Sequence, residues 1–257
     1  MNLFSSLPGI SLLVRTPRLK THCFIVVAGL LGTVPVVAQD TGTGNVLERY
    51  GNLDVERSGA TIDAELARKM LRRGNTYSNL QRYDEAIAEY RKAISADPNL
   101  AEALRNLANL YYFLERFEET KPLLARFIAL QEQSSAALIA AVQTLGQLHR
   151  QDGEYDAALA YDLRAIELVP DDDSQVHIMA NTYNNAGAAD QAIAIYRAAV
   201  DAQPDNAFFH RSLGRILEEQ KRFDEALAAY REAMTRNPDS DFYSNLVESL
   251  ERRLARP

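Results

Sequence analysis

The chain has 257 residues, 47% of them apolar and 25% charged, with a formal net charge of −7. That is enough apolar material for a sizeable core and excludes a disordered polyelectrolyte, and without a surplus of Lys and Arg to neutralise phosphates it excludes general affinity for nucleic acid. Only 12 Gly and 9 Pro stand against a predominance of Ala, Leu, Glu and Arg from Ala64 onward, which predicts an all-α protein rather than a turn-rich sheet.

The first forty residues follow other rules. Arg15, Arg18 and Lys20 precede CFIVVAGLLGTVPVVA, an uncharged run over residues 23–38 that ends in small residues. This basic-then-apolar order predicts a secretory signal peptide over 1–38, a mature chain starting at Gln39 and a periplasmic location. The alternative is an uncleaved N-terminal anchor in the inner membrane, facing the periplasm. Its apolar run is shorter than the roughly 20 residues a span needs, and Pro35 interrupts it. Cys23 sits in KTHC, which lacks the small and apolar residues of a lipidation signal. Cleavage would remove the only cysteine and three cations, leaving 25 basic and 35 acidic residues, a net −10. Residues 39–62, rich in Gly, Thr and Asp, are expected to form a flexible linker.

From residue 63 the chain repeats itself. RYDEAIAEYRKAISADPN at 82–99 returns as RFDEALAAYREAMTRNPD at 222–239. Segments 67–100, 101–134, 139–172, 173–206 and 207–240 share one pattern with a period of 34, broken once by four extra residues at 135–138. Numbering the places within a repeat, four, seven, eight and eleven are mostly apolar or small, as in Leu104, Leu107, Ala108 and Tyr111; that spacing makes one helix face. Places twenty, twenty-four and twenty-seven do the same for a second helix, as in Ala226, Tyr230 and Ala233. Small residues at place eight (Gly74, Ala108, Gly146, Ala180, Gly214) and place twenty (Ala86, Thr120, Ala158, Ala192, Ala226) let the two helices approach closely. Pro98, Pro170, Pro204 and Pro238 at place thirty-two stop the second helix.

Residues 67–240 thus resemble five tetratricopeptide repeats, with RYDEA, RFEET, EYDAA, AADQA and RFDEA at the hairpins. The resemblance implies a right-handed superhelical solenoid, closed by a capping helix over 241–257 that lays Phe242, Leu246 and Leu250 on one face. Arg73, Asp162 and Ala189 depart from the pattern. Between residues 123 and 145 there is neither Gly nor Pro, so the fourth helix of the array is expected to overrun its usual stop until Ser134 and Ser135 break it, dividing the solenoid into two blocks.

No catalytic constellation, cofactor motif or metal-ligand spacing emerges, and the chain is not expected to be an enzyme. His149 and His210 occupy packing places, and the acidic PDDDS at 170–174 reads as a capped helix start. What remains is the concave groove that such solenoids line with their first helices. Place nine carries Asn75, Asn109, Gln147, Asn181 and Arg215, and carboxamides that both donate and accept suit the backbone of an extended peptide. Tyr112 and Phe113 add an aromatic platform, and Arg72, Arg105 and Arg211 add cations. The two-carboxylate clamp of chaperone-binding members of the family is disfavoured, because Arg105 and Asn109 match one part of it while Thr144 and Ile178 break the rest. The expectation is an exported scaffold binding a protein or peptide in a bacterial cell envelope, of open oligomeric state, touching membrane only if the N-terminal segment is retained. The alternatives are an enzyme or enzyme subunit with a site in the groove and an adaptor of a polysaccharide or protein export machine.

Overall fold

A computed structural model describes residues 62–255. The expected signal peptide or anchor at 1–38 and the linker over 39–61 lie outside the described residues. Among those described there are eleven helices and no strand. In chain order they are α1 (Ala64–Asn79), α2 (Tyr83–Ala96), α3 (Ala101–Phe113), α4 (Phe117–Ala129), α5 (Ala136–Gln151), α6 (Tyr155–Leu168), α7 (Asp173–Asn185), α8 (Ala189–Ala202), α9 (Ala207–Glu219), α10 (Phe223–Arg236) and α11 (Asp241–Leu254). Each helix packs on the next, giving five hairpins stacked into a helical solenoid. None of these helices is long and apolar enough to cross a membrane.

The small residues do what their size predicts. Ala86, Thr120, Ala158, Ala192 and Ala226 are completely buried, as are Ala108 and Ala180 facing them in their own hairpins. Each hairpin turn places one residue in the left-handed region: Gln81, Glu115, Gly153, Gly187 and Lys221, all at place fifteen. The amide after each of these donates back to the carbonyl five residues earlier, as from Arg82 to Tyr77 (2.9 Å) and from Arg222 to Leu217 (2.9 Å), which satisfies the end of the first helix. Asp172 starts α7 by accepting from the Ser174 amide at 3.0 Å, so the acidic turn serves as a helix cap.

The joint between the second and third repeats differs from expectation. α4 does not overrun; it ends at Ala129. Leu130 still packs on the core, but the five residues after it, QEQSS at 131–135, have no apolar side chain to bury, and a helical turn with nothing to pack is not held by propensity alone. Ser135 then accepts from the Leu138 amide at 3.1 Å and starts α5 early, so the inserted residues become an exposed link plus an extra first turn. Leu124, Ala125 and Ile128 share one buried cluster with Leu138, Val142 and Leu145, so the apolar core is continuous across this joint.

Two departures from the repeat pattern have partners. Arg73 lies 3.3 Å from the buried Glu89 carboxylate, which Lys92 also reaches at 2.8 Å. Asp162, buried where repeats one, four and five carry Tyr, accepts from the Thr182 hydroxyl at 2.6 Å and pairs with Arg150. At the C-terminal end α11 closes the array with Val247 and Leu250 buried and Leu246 half-buried. Phe242, expected in that seam, is instead 51% exposed.

Candidate functional site

The first helices of the repeats, α1, α3, α5, α7 and α9, present their places two, five, six, nine, twelve and thirteen on one face, and that face has two chemically different halves. In the first half two cavities adjoin across α3. The larger, about 350 Å³, lies between α1, α2 and α3 and is lined by Ser78, Tyr83, Tyr90 and Phe113. The smaller, about 230 Å³, lies between α3 and α5 over Leu124, Ala140 and Thr144, with Arg105 at its edge. Asn106 and Asn109 line both.

The side chains around these cavities divide into fixed and available ones. Asn75 Oδ1 accepts from the Tyr90 hydroxyl and from Asn106 Nδ2, each at 2.9 Å, so Asn75 is half-buried and fully engaged as an acceptor. Burial raises the Tyr90 pKa, which keeps that hydroxyl a donor. Asn109, one turn after Arg105 on α3, is exposed, and Gln147 on α5 is exposed as well. Phe113 leans on Tyr83 with ring centroids 5.5 Å apart and leaves 66% of itself exposed. Tyr112, the other ring of the expected platform, packs against Phe117 at 5.6 Å and lines neither cavity.

The second half is a connected polar chain across α7, α8 and α9. Arg215 donates to Asn181 Oδ1 at 2.5 Å, and Asn181 Nδ2 stands 2.9 Å from His177 Nε2. An amide nitrogen can only donate, so Nε2 accepts and His177 carries its proton on Nδ1, which faces the Tyr196 hydroxyl at 2.6 Å. Burial, and then the charges of Arg215 and Arg211, hold the His177 pKa below its ordinary value, so the ring is neutral near pH 7. Phe208 meets the His177 ring edge-on at 4.8 Å.

The five place-nine residues are therefore not an even ladder. Asn109 and Gln147 face outward; Asn75 and Asn181, expected to be free, are tied into internal networks; and Arg215 is spent on Asn181 and, at 2.5 Å, on Glu219. Reading the sequence at place nine alone missed Asn106 at place six and His177 at place five. Both stand at groove-facing places, and that was the signal available for them. His149 and His210 are repeat-core residues, the first stacked on Tyr161 at 5.4 Å and beside Glu154, the second within 2.8 Å of the Pro204 carbonyl.

Family models described as TPR repeat and tetratricopeptide repeat match residues 74–114, 141–176 and 179–241. Among solved structures, the chain is similar to YrrB, described as a TPR protein with an unusual peptide-binding site, with a TM-score of 0.51 and 21% identity over 70% of this chain and 90% of that one. It is similar to MamA, with a TM-score of 0.53 and 24% identity over 68% of this chain and 94% of that one. A MamA chain from Desulfovibrio magneticus RS-1 gives 0.50 and 15% identity over 70% and 99%. At these identities the likeness is one of fold. No curated protein sequence matches the chain.

Proposed function

The chain belongs to the tetratricopeptide repeat family, and from that premise we propose that it is an exported scaffold of a bacterial cell envelope that holds an extended segment of a partner protein along the face of its first helices. Proteins of this fold serve as protein-interaction scaffolds. One observation carries the choice of face: two adjoining cavities share Asn106 and Asn109, with the exposed ring of Phe113 beside one and Arg105 beside the other. Such a run offers apolar seats for alternate side chains and a carboxamide between them for the peptide backbone. The peptide-binding site described for YrrB supports the same reading. Export is supported by the basic-then-apolar order of residues 1–38. Family members are generally not enzymes, and the groove's histidine is occupied on both nitrogens, so the reading is binding without chemistry.

A photo-crosslinking residue placed at Asn109 in the full chain, expressed in its own cells, should trap a partner, and the same probe at Lys92 on α2 should not. Mapping the crosslinked partner residue should give a short contiguous stretch. Crosslinks that form only from Lys92 would move the binding surface off the first helices. N-terminal sequencing of the same material should begin near Gln39; a chain retaining residues 23–38 in the membrane would replace export with anchoring.

A further inference from the structure

Where α9 meets α11, the groove face carries a positive charge that no acid answers. Arg211, half-buried at place five of the last repeat, is held by rings: its guanidinium carbon lies 4.9 Å from the centre of Phe208 and 5.8 Å from that of Phe242. Its Nε is sealed from solvent without a hydrogen-bond partner, and among the described residues Arg211 makes no ion pair. The acids in the last turn of α9 are committed elsewhere. Glu218 accepts from the Tyr230 hydroxyl at 2.8 Å and pairs with Arg253, while Glu219 takes Arg215 at 2.5 Å and Asn184 at 2.9 Å. His177 nearby is neutral. In a chain of net charge −7, where most described arginines of the solenoid face a carboxylate, Arg211 is among the few that do not, and it is set next to the exposed ring of Phe242.

We propose that this corner receives a carboxylate of the bound segment on Arg211, with the apolar side chain adjacent to that carboxylate seated on Phe242. The occupant is an acidic–apolar stretch of peptide. The assignment rests on the groove-binding reading above and gives it a direction: carboxamide and apolar seats beside Arg105 at the α1–α5 end, and a ring-held arginine at the α9–α11 end. Two stacked rings restrict the guanidinium to few rotamers before anything binds, so less conformational freedom is lost when a carboxylate forks it. The bond formed is charge-assisted, the strong kind. The same occupant would cover the exposed ring of Phe242, which stands at the groove-facing second place of α11.

A positional-scanning library of synthetic peptides, each made with a free and with an amidated C-terminus, should be screened by fluorescence polarisation against the full chain. Binding should favour peptides with Asp or Glu next to an apolar residue. Arg211→Gln should weaken those peptides about tenfold or more and leave neutral peptides unchanged. Arg211→Lys, which keeps the charge and loses the planar stack, should recover part of the loss. Phe242→Ser, on an exposed face, should abolish the preference for the apolar neighbour and keep that for the acid, and circular dichroism confirms that each variant is folded. Loss of binding on amidation would assign the carboxylate to a chain terminus, and indifference would assign it to a side chain; either supports the site. Peptides that bind with no acidic preference, or with one that survives Arg211→Gln, overturn the Arg211 site while leaving the scaffold reading standing. Absence of binding by any peptide in the library overturns both.

Discussion

An alanine methyl at position 214 would stand 2.6 Å from two ring carbons of Tyr230, closer than non-bonded atoms approach, and one at position 74 would stand 2.5 Å from the equivalent atoms of Tyr90. The glycine at place eight and the tyrosine at place twenty-four are therefore one packing unit, with the ring occupying the volume of the missing side chain. In repeat four a methyl is present at Ala180, and there Tyr196 sends its hydroxyl to His177, whereas Tyr90 reaches Asn75 and Tyr230 reaches Glu218. Gly214→Ala should thus destabilise the solenoid by about 1–3 kcal/mol, even though Ala is the better helix former. Gly146→Ala, whose nearest atom would be Tyr161 Cβ at 3.2 Å, should cost less. Urea denaturation of the two variants gives the ordering, and a Gly214→Ala protein more stable than its parent would mean that the ring moves freely.

Asp162 makes the third repeat an acid-dependent element. Burial, outweighing the Thr182 bond and the Arg150 charge, raises its pKa above the ordinary carboxylate value. A raised folded pKa means that the folded state binds the proton more tightly, so the stabilisation is complete below the unfolded pKa and is lost as pH rises through the folded one. Against Asp162→Asn, which keeps an acceptor for Thr182 and has no titration, the parent should gain relative stability as pH falls from neutrality toward the ordinary Asp range. Asp162→Ala leaves Arg150 without its acid and Thr182 with only the Ile178 carbonyl as acceptor, and should cost about 3 kcal/mol at neutral pH. A gap between parent and Asp162→Asn that stays flat with pH would show that Asp162 titrates normally.

What the sequence made legible follows from the range over which each signal acts. Ala86 facing Gly74 is a contact within one hairpin, fixed by side-chain size, and the repeat period exposes it directly. The role of Asn75 is different: it depends on a hydroxyl from Tyr90 and an amide from Asn106 in the next repeat, and a position within the repeat does not state which neighbour will claim its oxygen. His177 was passed over for the same reason, since its meaning comes from Asn181, Tyr196 and Phe208 together. At residues 131–135 the absence of Gly and Pro points to helix continuation, but the absence of an apolar face after Leu130 decides the matter. The hairpins are legible in the sequence, but the left-handed turn residue in them is not, because Gln81, Glu115 and Lys221 adopt a backbone conformation that their identities do not advertise.

Those three turns give a stabilisation series. Gln81, Glu115 and Lys221 hold φ near 60°, a region that costs a side-chain-bearing residue roughly 1–2 kcal/mol, whereas repeats three and four use Gly153 and Gly187 there. Lys221→Gly relieves that strain and loses part of the gain to the entropy of glycine, so a net stabilisation of a few tenths to about 1 kcal/mol is expected. Gly187→Ala should lose about as much, in a place where a Cβ meets nothing within 4 Å, so that any loss reports backbone strain alone. Thermal unfolding monitored by circular dichroism reads both. If Gly187→Ala is neutral, the turn tolerates a side chain and the series has no basis.

The divided roles at place nine separate stability from binding. Asn75→Ala removes the shared acceptor of the buried Tyr90 hydroxyl and the half-buried Asn106 amide, at a cost of about 1–2 kcal/mol in stability. Asn109→Ala and Gln147→Ala remove exposed groups and should change stability by less than about 0.5 kcal/mol. For binding the order reverses. Asn109 lies between the two cavities and its loss should take away about 0.5–1.5 kcal/mol of affinity, a several-fold rise in Kd, whereas Asn75 meets a ligand only through Asn106. Asn181→Ala combines both effects, because it deprives Arg215 of its acceptor and releases His177 Nε2. Denaturation curves and calorimetry with a mapped partner peptide on the same four variants place each carboxamide on one axis or the other. A stable Asn75→Ala protein with weakened binding would show that the Tyr90 network opens to meet the ligand, and the α1–α3 cavity would then be a site formed on binding rather than before it.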